Sequence, residues 1–202
     1  MTADDIRDLD RRAVQATVHL VSKASVADLS KSTPCAGWTL SDLLSHMIGQ
    51  HNGFAAAAEG RGANLAAWDE GPLGDDPAAE YSAAASRVIA AFAEPGVLER
   101  RFVIPAIVPD TEFPAAQAIS FHFIDYVVHG WDVARALGVP CELDSDLVEA
   151  ALPVAEAVPD GKSRLRPGSA FRPGLPIPQE AAPLDRIVAM LGRSPAWPDG
   201  GN

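Results

Sequence analysis

Ser120-Phe121-His122-Phe123-Ile124-Asp125-Tyr126-Val127-Val128-His129-Gly130-Trp131-Asp132-Val133-Ala134 is the stretch whose reading decides the fold. On a helix turning about 100° per residue, Asp125 and His129 lie about 40° apart on one face, a single turn from each other. His122 precedes His129 by two turns and Asp132 follows Asp125 by two turns. The four ionisable side chains therefore fall on one stripe, continued by Ala118 and Ala136 and flanked by Phe121 and Val128. A polar stripe edged by apolar residues belongs inside a helical bundle, not against water. Pro114 in the first turn, Gly138 in the C-cap role and Pro140 beyond it mark this as the longest helix of the chain.

Working outward, the same local signals predict the other elements. Thr2, Asp4 and Asp5 start a first amphipathic helix, with Ile6, Leu9, Ala13, Ala16 and Leu20 at helical spacing. Thr39-Leu40-Ser41-Asp42 resembles a capping box with Asp in place of Glu, opening a second helix from about Leu40 to Ala58. Gly60 to Asp76 reads as a loop. Asp76-Pro77 begins a third helix that runs to about Ala93 and is ended by Pro95 and Gly96. Val97 to Thr111 fits either a short strand pair or an extended crossover. Asp144-Ser145-Asp146 starts a fifth helix to about Val158. A Pro- and Gly-rich connection, Pro159 to Pro183, then leads to a short last helix around Leu184 to Leu191. The expectation is an all-α fold: one domain over 1–202, with a four-helix bundle over about 1–158 and an irregular tail over about 159–202 packed on it.

Composition supports one core and narrows the partners. The chain of 202 residues is 48% hydrophobic and 21% charged, the balance of a globular protein. With 27 acidic against 16 basic residues the net charge is -11, which repels phosphate backbones and anionic lipid headgroups. Neither nucleic acid nor membrane is an expected partner. Met1-Thr2-Ala3-Asp4-Asp5 has no basic start and no apolar stretch, so a cytoplasmic location without a signal peptide is expected. Cys35 and Cys141 stand far apart and outside any metal-ligand spacing, which fits two free thiols.

Burying the polar stripe without partners would cost a few kcal/mol per group, and a metal ion satisfies such groups well. Asp125 and His129 supply two ligands. His46, enclosed in the apolar run Leu43-Leu44-Ser45-His46-Met47-Ile48, is the third. Two imidazoles and a carboxylate suit zinc, ferrous iron or a similar ion and leave coordination positions open. Spacing leaves blander readings standing: a histidine among apolar residues also occurs as a satisfied core residue, and an Asp-His pair one turn apart occurs on helix surfaces. Asp132 is read either as a hydrogen-bond acceptor for a ligand histidine or as a surface partner of Arg135. Trp38 and Trp131 read as pocket lining or core, and Cys35 as a reactive or simply buried thiol. His19 and His51 have no partner by spacing, His51 lying about 140° around its helix from His46.

Thr33-Pro34-Cys35-Ala36-Gly37-Trp38-Thr39, followed by Asp42-Leu43-Leu44-Ser45-His46, resembles the start of the metal-binding domain of mycothiol-dependent maleylpyruvate isomerases, a branch of the DinB-like superfamily of four-helix metalloproteins. Asp125-Tyr126-Val127-Val128-His129-Gly130-Trp131-Asp132-Val133-Ala134 resembles its second motif. Gly192-Arg193-Ser194-Pro195 resembles a tail of the actinobacterial branch. The resemblance covers nearly the whole chain, and the motifs come in the family's order. It implies a DinB-like bundle in which His46, Asp125 and His129 hold a divalent ion, zinc first, with nickel, iron or manganese as alternatives. It also implies mycothiol as a co-substrate. Two departures limit the transfer: the isomerases have glutamate at the position of Asp125, and their additional C-terminal domain is not expected in a sequence that runs to Asn202.

The expected function is that of a metal-dependent transferase or isomerase using a low-molecular-weight thiol, with His122 and Asp132 as the available proton carriers. A non-catalytic ligand-binding or structural metal-binding domain is the alternative, and His122 as a fourth ligand would favour the structural reading. Partners are a small-molecule substrate or thiol, and the chain is expected as a monomer or homodimer.

Overall fold

A computed structural model describes residues 5–35, 37–166 and 169–199. The expected helix start at Thr2 and Asp4 lies outside the described residues. Asp5 performs the capping, accepting the Arg7 N–H at 3.0 Å at the head of α1 (Ile6–Val21). The capping box at α2 (Leu40–Ala58) forms in both directions: Thr39 Oγ1 accepts the Asp42 N–H at 3.3 Å, and Asp42 Oδ2 accepts the Thr39 N–H at 2.9 Å. Asp76 accepts the Ala79 N–H at 3.0 Å, and Pro77 occupies the first position of α3 (Pro77–Ala93).

The segment after α3 is a strand pair. β1 (Arg101–Val103) runs antiparallel to β2 (Glu112–Pro114), with Phe102 opposite Phe113. Pro114 ends β2 and precedes α4 (Ala115–Leu137), which Gly138 closes with a φ of 71°, a left-handed conformation that glycine adopts without a Cβ penalty. α5 (Ser145–Glu156) and α6 (Pro183–Met190) follow.

α1 packs on α4 and α3, while α2 packs on α3 and α4. Each large apolar side chain taken from water contributes roughly 1.5–3 kcal/mol, and this gain holds the bundle against chain entropy. Leu43, Leu44 and Met47 of α2 meet Val127 and Val128 of α4 in one cluster, which Ile187 and Leu191 of the tail join. A second cluster, around Phe54, Phe92, Phe102 and Ile119, fills the end nearer the strand pair. No helix among the described residues is long and apolar enough to cross a membrane.

The polar stripe of α4 points inward, as its edging predicts: His122 and Asp132 are 0% exposed and His129 is 3% exposed. α2 is buried on more than one side, with Ala55, Ala56, Ala57 and Ala58 all in the interior. Its His51, though far around the helix from His46, is therefore buried too.

Candidate metal centre

His46 from α2 and Asp125 and His129 from α4 come together, each offering a ligand atom within 4.8 Å of the others. The rings of His46 and His129 meet edge to face with centroids 5.3 Å apart. His129 Nε2 stands 3.4 Å from Asp125 Oδ1. Two ligands at about 2.1 Å on a tetrahedral ion are separated by about 3.4 Å, so this pair already has the spacing of a chelate. The donor set of two imidazoles and one carboxylate fits a divalent ion of the zinc class. Asp125, shorter than glutamate by one methylene, still reaches this position because it lies one turn below His129 on the same face.

Both imidazoles are backed by carboxylates. His129 Nδ1 donates to Asp132 Oδ2 at 3.0 Å, and His46 Nδ1 donates to Glu70 Oε1 at 2.6 Å. Each hydrogen bond assigns the proton to Nδ1 and leaves the lone pair on Nε2 for a ligand. Glu70 is held below its ordinary carboxyl value, first by the hydrogen bond from His46. Burial pushes Asp132 up, but Arg193 and the bond from His129 outweigh it and hold this carboxyl below its ordinary value. Asp132 faces His129 and not Arg135, whose guanidinium lies over the Trp131 ring and donates to the Pro195 carbonyl.

Cys35, His129 and Asp132 form a second group with metal-ligand spacing. Its charge is already balanced, because Arg193 Nη2 stands 3.2 Å from both Cys35 Sγ and Asp132 Oδ2. A guanidinium in that position repels a cation. Burial, and then the Asp132 charge, push the Cys35 thiol upward, so it stays protonated and donates to Asp132 Oδ2 at 3.1 Å. Trp38 stands beside the first group, its ring centroid 4.9 Å from that of His46.

His122 is not brought to this site. It lies two turns, roughly 10 Å of helix rise, from His129, so sharing a face does not mean sharing a ligand. Its Nδ1 pairs with Asp10 Oδ1 at 2.6 Å and its Nε2 with His51 Nδ1 at 3.2 Å. With both ring nitrogens engaged, His122 has none to offer as a fourth ligand or as a proton carrier beside His129. His51 is likewise no bystander: it partners His122 and stacks on Tyr126 with ring centroids 4.1 Å apart. Three residues of these clusters were not apparent from spacing. Nothing singles out Asp10 on α1, Glu70 falls in a stretch that reads as loop, and Arg193 stands in a motif without a role.

Comparison with known proteins agrees with this architecture. Residues 11–134 match the family described as the mycothiol maleylpyruvate isomerase N-terminal domain, a span that includes all three grouped ligands and Asp132. Two Mycobacterium tuberculosis proteins, Rv0738 of strain H37Rv and MT0763 of strain CDC 1551, both described as uncharacterized, are each 30% identical over 190 residues. Each alignment covers 91% of this chain and 95% of the relative. The crystal structure of the mycothiol-dependent maleylpyruvate isomerase superposes with a TM-score of 0.59 at 14% identity, covering 82% of this chain and 72% of that one, a likeness of fold. From the match over the bundle and the alignment along nearly the whole length, the chain belongs to the mycothiol maleylpyruvate isomerase N-terminal domain family.

Proposed function

We propose that this protein binds one divalent metal ion through His46, Asp125 and His129 and uses it in a transferase or isomerase reaction with a low-molecular-weight thiol such as mycothiol. The observation that carries the reading is the convergence of three ligand atoms within 4.8 Å, with a carboxylate on the far nitrogen of each histidine. Zinc suits the donor set best; nickel, iron and manganese are the alternatives. When bound, such an ion supplies Lewis acidity, lowering the pKa of a coordinated thiol or polarising a carbonyl.

The chain's own residues do the positioning. Asp132 and Glu70 hold the two imidazoles in the ligand tautomer. Asp125 and His46, each partly exposed at 17% and 19% of their side chains, leave the group accessible from one side while His129 anchors it from within. Asp132, buried and bonded to His129, is the nearer of the two expected proton carriers. His122 belongs to the separate buried chain with Asp10 and His51. A thiol or small-molecule substrate is the proposed partner.

Protein purified without chelators should carry close to one divalent ion per chain by elemental analysis, and His46→Ala or His129→Ala should abolish it. Equal emptiness of wild type and variants under metal-replete conditions would sink the site. Cobalt substitution separates an enzyme-like open site from a closed structural one. Adding a small thiol to cobalt-loaded protein should produce a thiolate-to-cobalt absorption band in wild type and not in His46→Ala. No spectral change with any thiol, mycothiol included, would leave a structural or ligand-holding metal domain as the reading.

A further inference from the structure

Glu70 comes from neither of the helices that carry the grouped ligands. It lies between α2 and α3, just beyond a short 3₁₀ turn, Leu65–Trp68, in a stretch predicted only as a loop. That stretch is seated on α2. Ser45 Oγ of α2 donates to the Gly71 carbonyl at 2.5 Å, the Trp68 ring meets that of Phe54 of α2 with centroids 5.3 Å apart, and within the loop Trp68 Nε1 donates to the Gly62 carbonyl at 2.8 Å. The seat depends on two glycines spaced one turn apart. A Cβ at Gly53 would stand 2.1 Å from Trp68 Cε3, and one at Gly49 would stand 3.1 Å from Glu70 Cγ and 3.2 Å from the Asp69 carbonyl oxygen. Only a helix surface stripped of side chains lets the loop approach closely enough to bring Glu70 Oε1 to 2.6 Å from His46 Nδ1.

We infer that Glu70 is the positioning residue for His46, and that the Gly49–Gly53 seat on α2 exists to deliver it. The contact between Glu70 and His46 stands on geometry alone, and only its effect on metal affinity rests on the proposed metal reading. His46 sits on a partly exposed helix face, where a ring without an acceptor on Nδ1 would exchange tautomers. An acceptor carboxylate on Nδ1 removes that exchange and makes Nε2 the more basic nitrogen. His129 receives the same treatment from the buried Asp132, so the two imidazoles are clamped from opposite directions, one by the core and one by a loop. The loop clamp is the more easily released of the two, since Glu70 is 45% exposed while Asp132 is fully buried.

The test reads the tautomer and the affinity separately. Nitrogen-15 long-range spectra of metal-free protein, with the His46 signals identified by their absence in His46→Gln, should show Nδ1 protonated in wild type. In Glu70→Ala they should move to an averaged or Nε2-protonated pattern. Glu70→Gln, which keeps an acceptor oxygen at the same reach, should retain the wild-type pattern. Cobalt(II) affinity should fall about 10- to 100-fold in Glu70→Ala and less in Glu70→Gln. Gly53→Ala, which displaces Trp68 and its loop while removing no carboxylate from the chain, should reproduce part of the Glu70→Ala change. Tautomer and affinity unchanged in Glu70→Ala would overturn the inference. So would loss of cobalt in both Glu70 variants as complete as in His46→Ala, because that result makes Glu70 a ligand. If wild type takes up no cobalt, the metal reading fails, and the tautomer spectra still decide the role of Glu70.

Discussion

Asp132 Oδ2 accepts hydrogen bonds from three donors: His129 Nδ1 at 3.0 Å, Cys35 Sγ at 3.1 Å and Arg193 Nη2 at 3.2 Å. A carboxylate with no exposed surface keeps its charge chiefly because a guanidinium 5% exposed lies against it, with the bond from His129 adding to this. Replacing Arg193 with Met would leave that carboxylate buried and uncompensated, a loss of about 3–5 kcal/mol. Urea denaturation of Arg193→Met should show it, and Asp132→Asn added to the same chain should recover part of it. A loss below about 1 kcal/mol would mean that the pair contributes little. The arrangement also explains why the sequence left Asp132 open between His129 and Arg135. Both stand three residues away and both are plausible on a helix wheel, and only the arrival of Arg193 from 61 residues along the chain settles which side is buried.

At the scale of elements, α1, α2 and α4 are joined through the buried chain of Asp10, His122 and His51. The chain is enclosed by Phe54, Phe92 and Tyr126, whose rings contact that of His122. Burial, and then His122, hold His51 well below its ordinary value, so the folded protein keeps it neutral where the unfolded chain would protonate it. The unfolded state then binds more protons below about pH 6.5, and stability is lost as pH falls through that value. Burial raises Asp10, which acts in the opposite sense: it adds stability at low pH that is lost as pH rises through its raised folded value. In chelator-treated protein, unfolding free energy should decline between pH 6.5 and 5 with a slope of up to about 1.4 kcal/mol per pH unit from His51. His51→Gln, whose amide offers His122 both a donor and an acceptor but does not titrate, should flatten that slope. An unchanged slope would show that His51 is not the group responsible.

For the whole molecule, we propose that residues 1–202 behave as one domain in which the tail is part of the structure and not an appendage. Ile187 and Leu191 are fully buried, and Arg164 donates to the carbonyls of Val158, Pro159 and Met190, tying the start of the tail to its last helix. Arg193 then carries the tail to Asp132, beneath the candidate metal centre. Cleavage by trypsin between Gly161 and Pro178 should be slow in wild type and faster in Arg193→Met. A rapid cut there that leaves a stable, metal-retaining core would separate the tail from the domain.

Much of this molecule was legible before any contact was known, because the signals involved are local. Caps at Asp5, Thr39 and Asp76 act within three residues, and the apolar spacing of α1 to α4 follows from one helical pitch. The closeness of Asp125 and His129 needs only the one turn between them. Tertiary structure alone decided the depth at which each polar group sits. His122 and His129 share a face, yet α2 runs past α4 so that His46 meets His129 while His51 meets His122. Glu70 reaches His46 from 24 residues away only because a loop settles on two glycines. Axial register between helices and the path of a loop are set by packing among distant residues, and no spacing within a single segment encodes them.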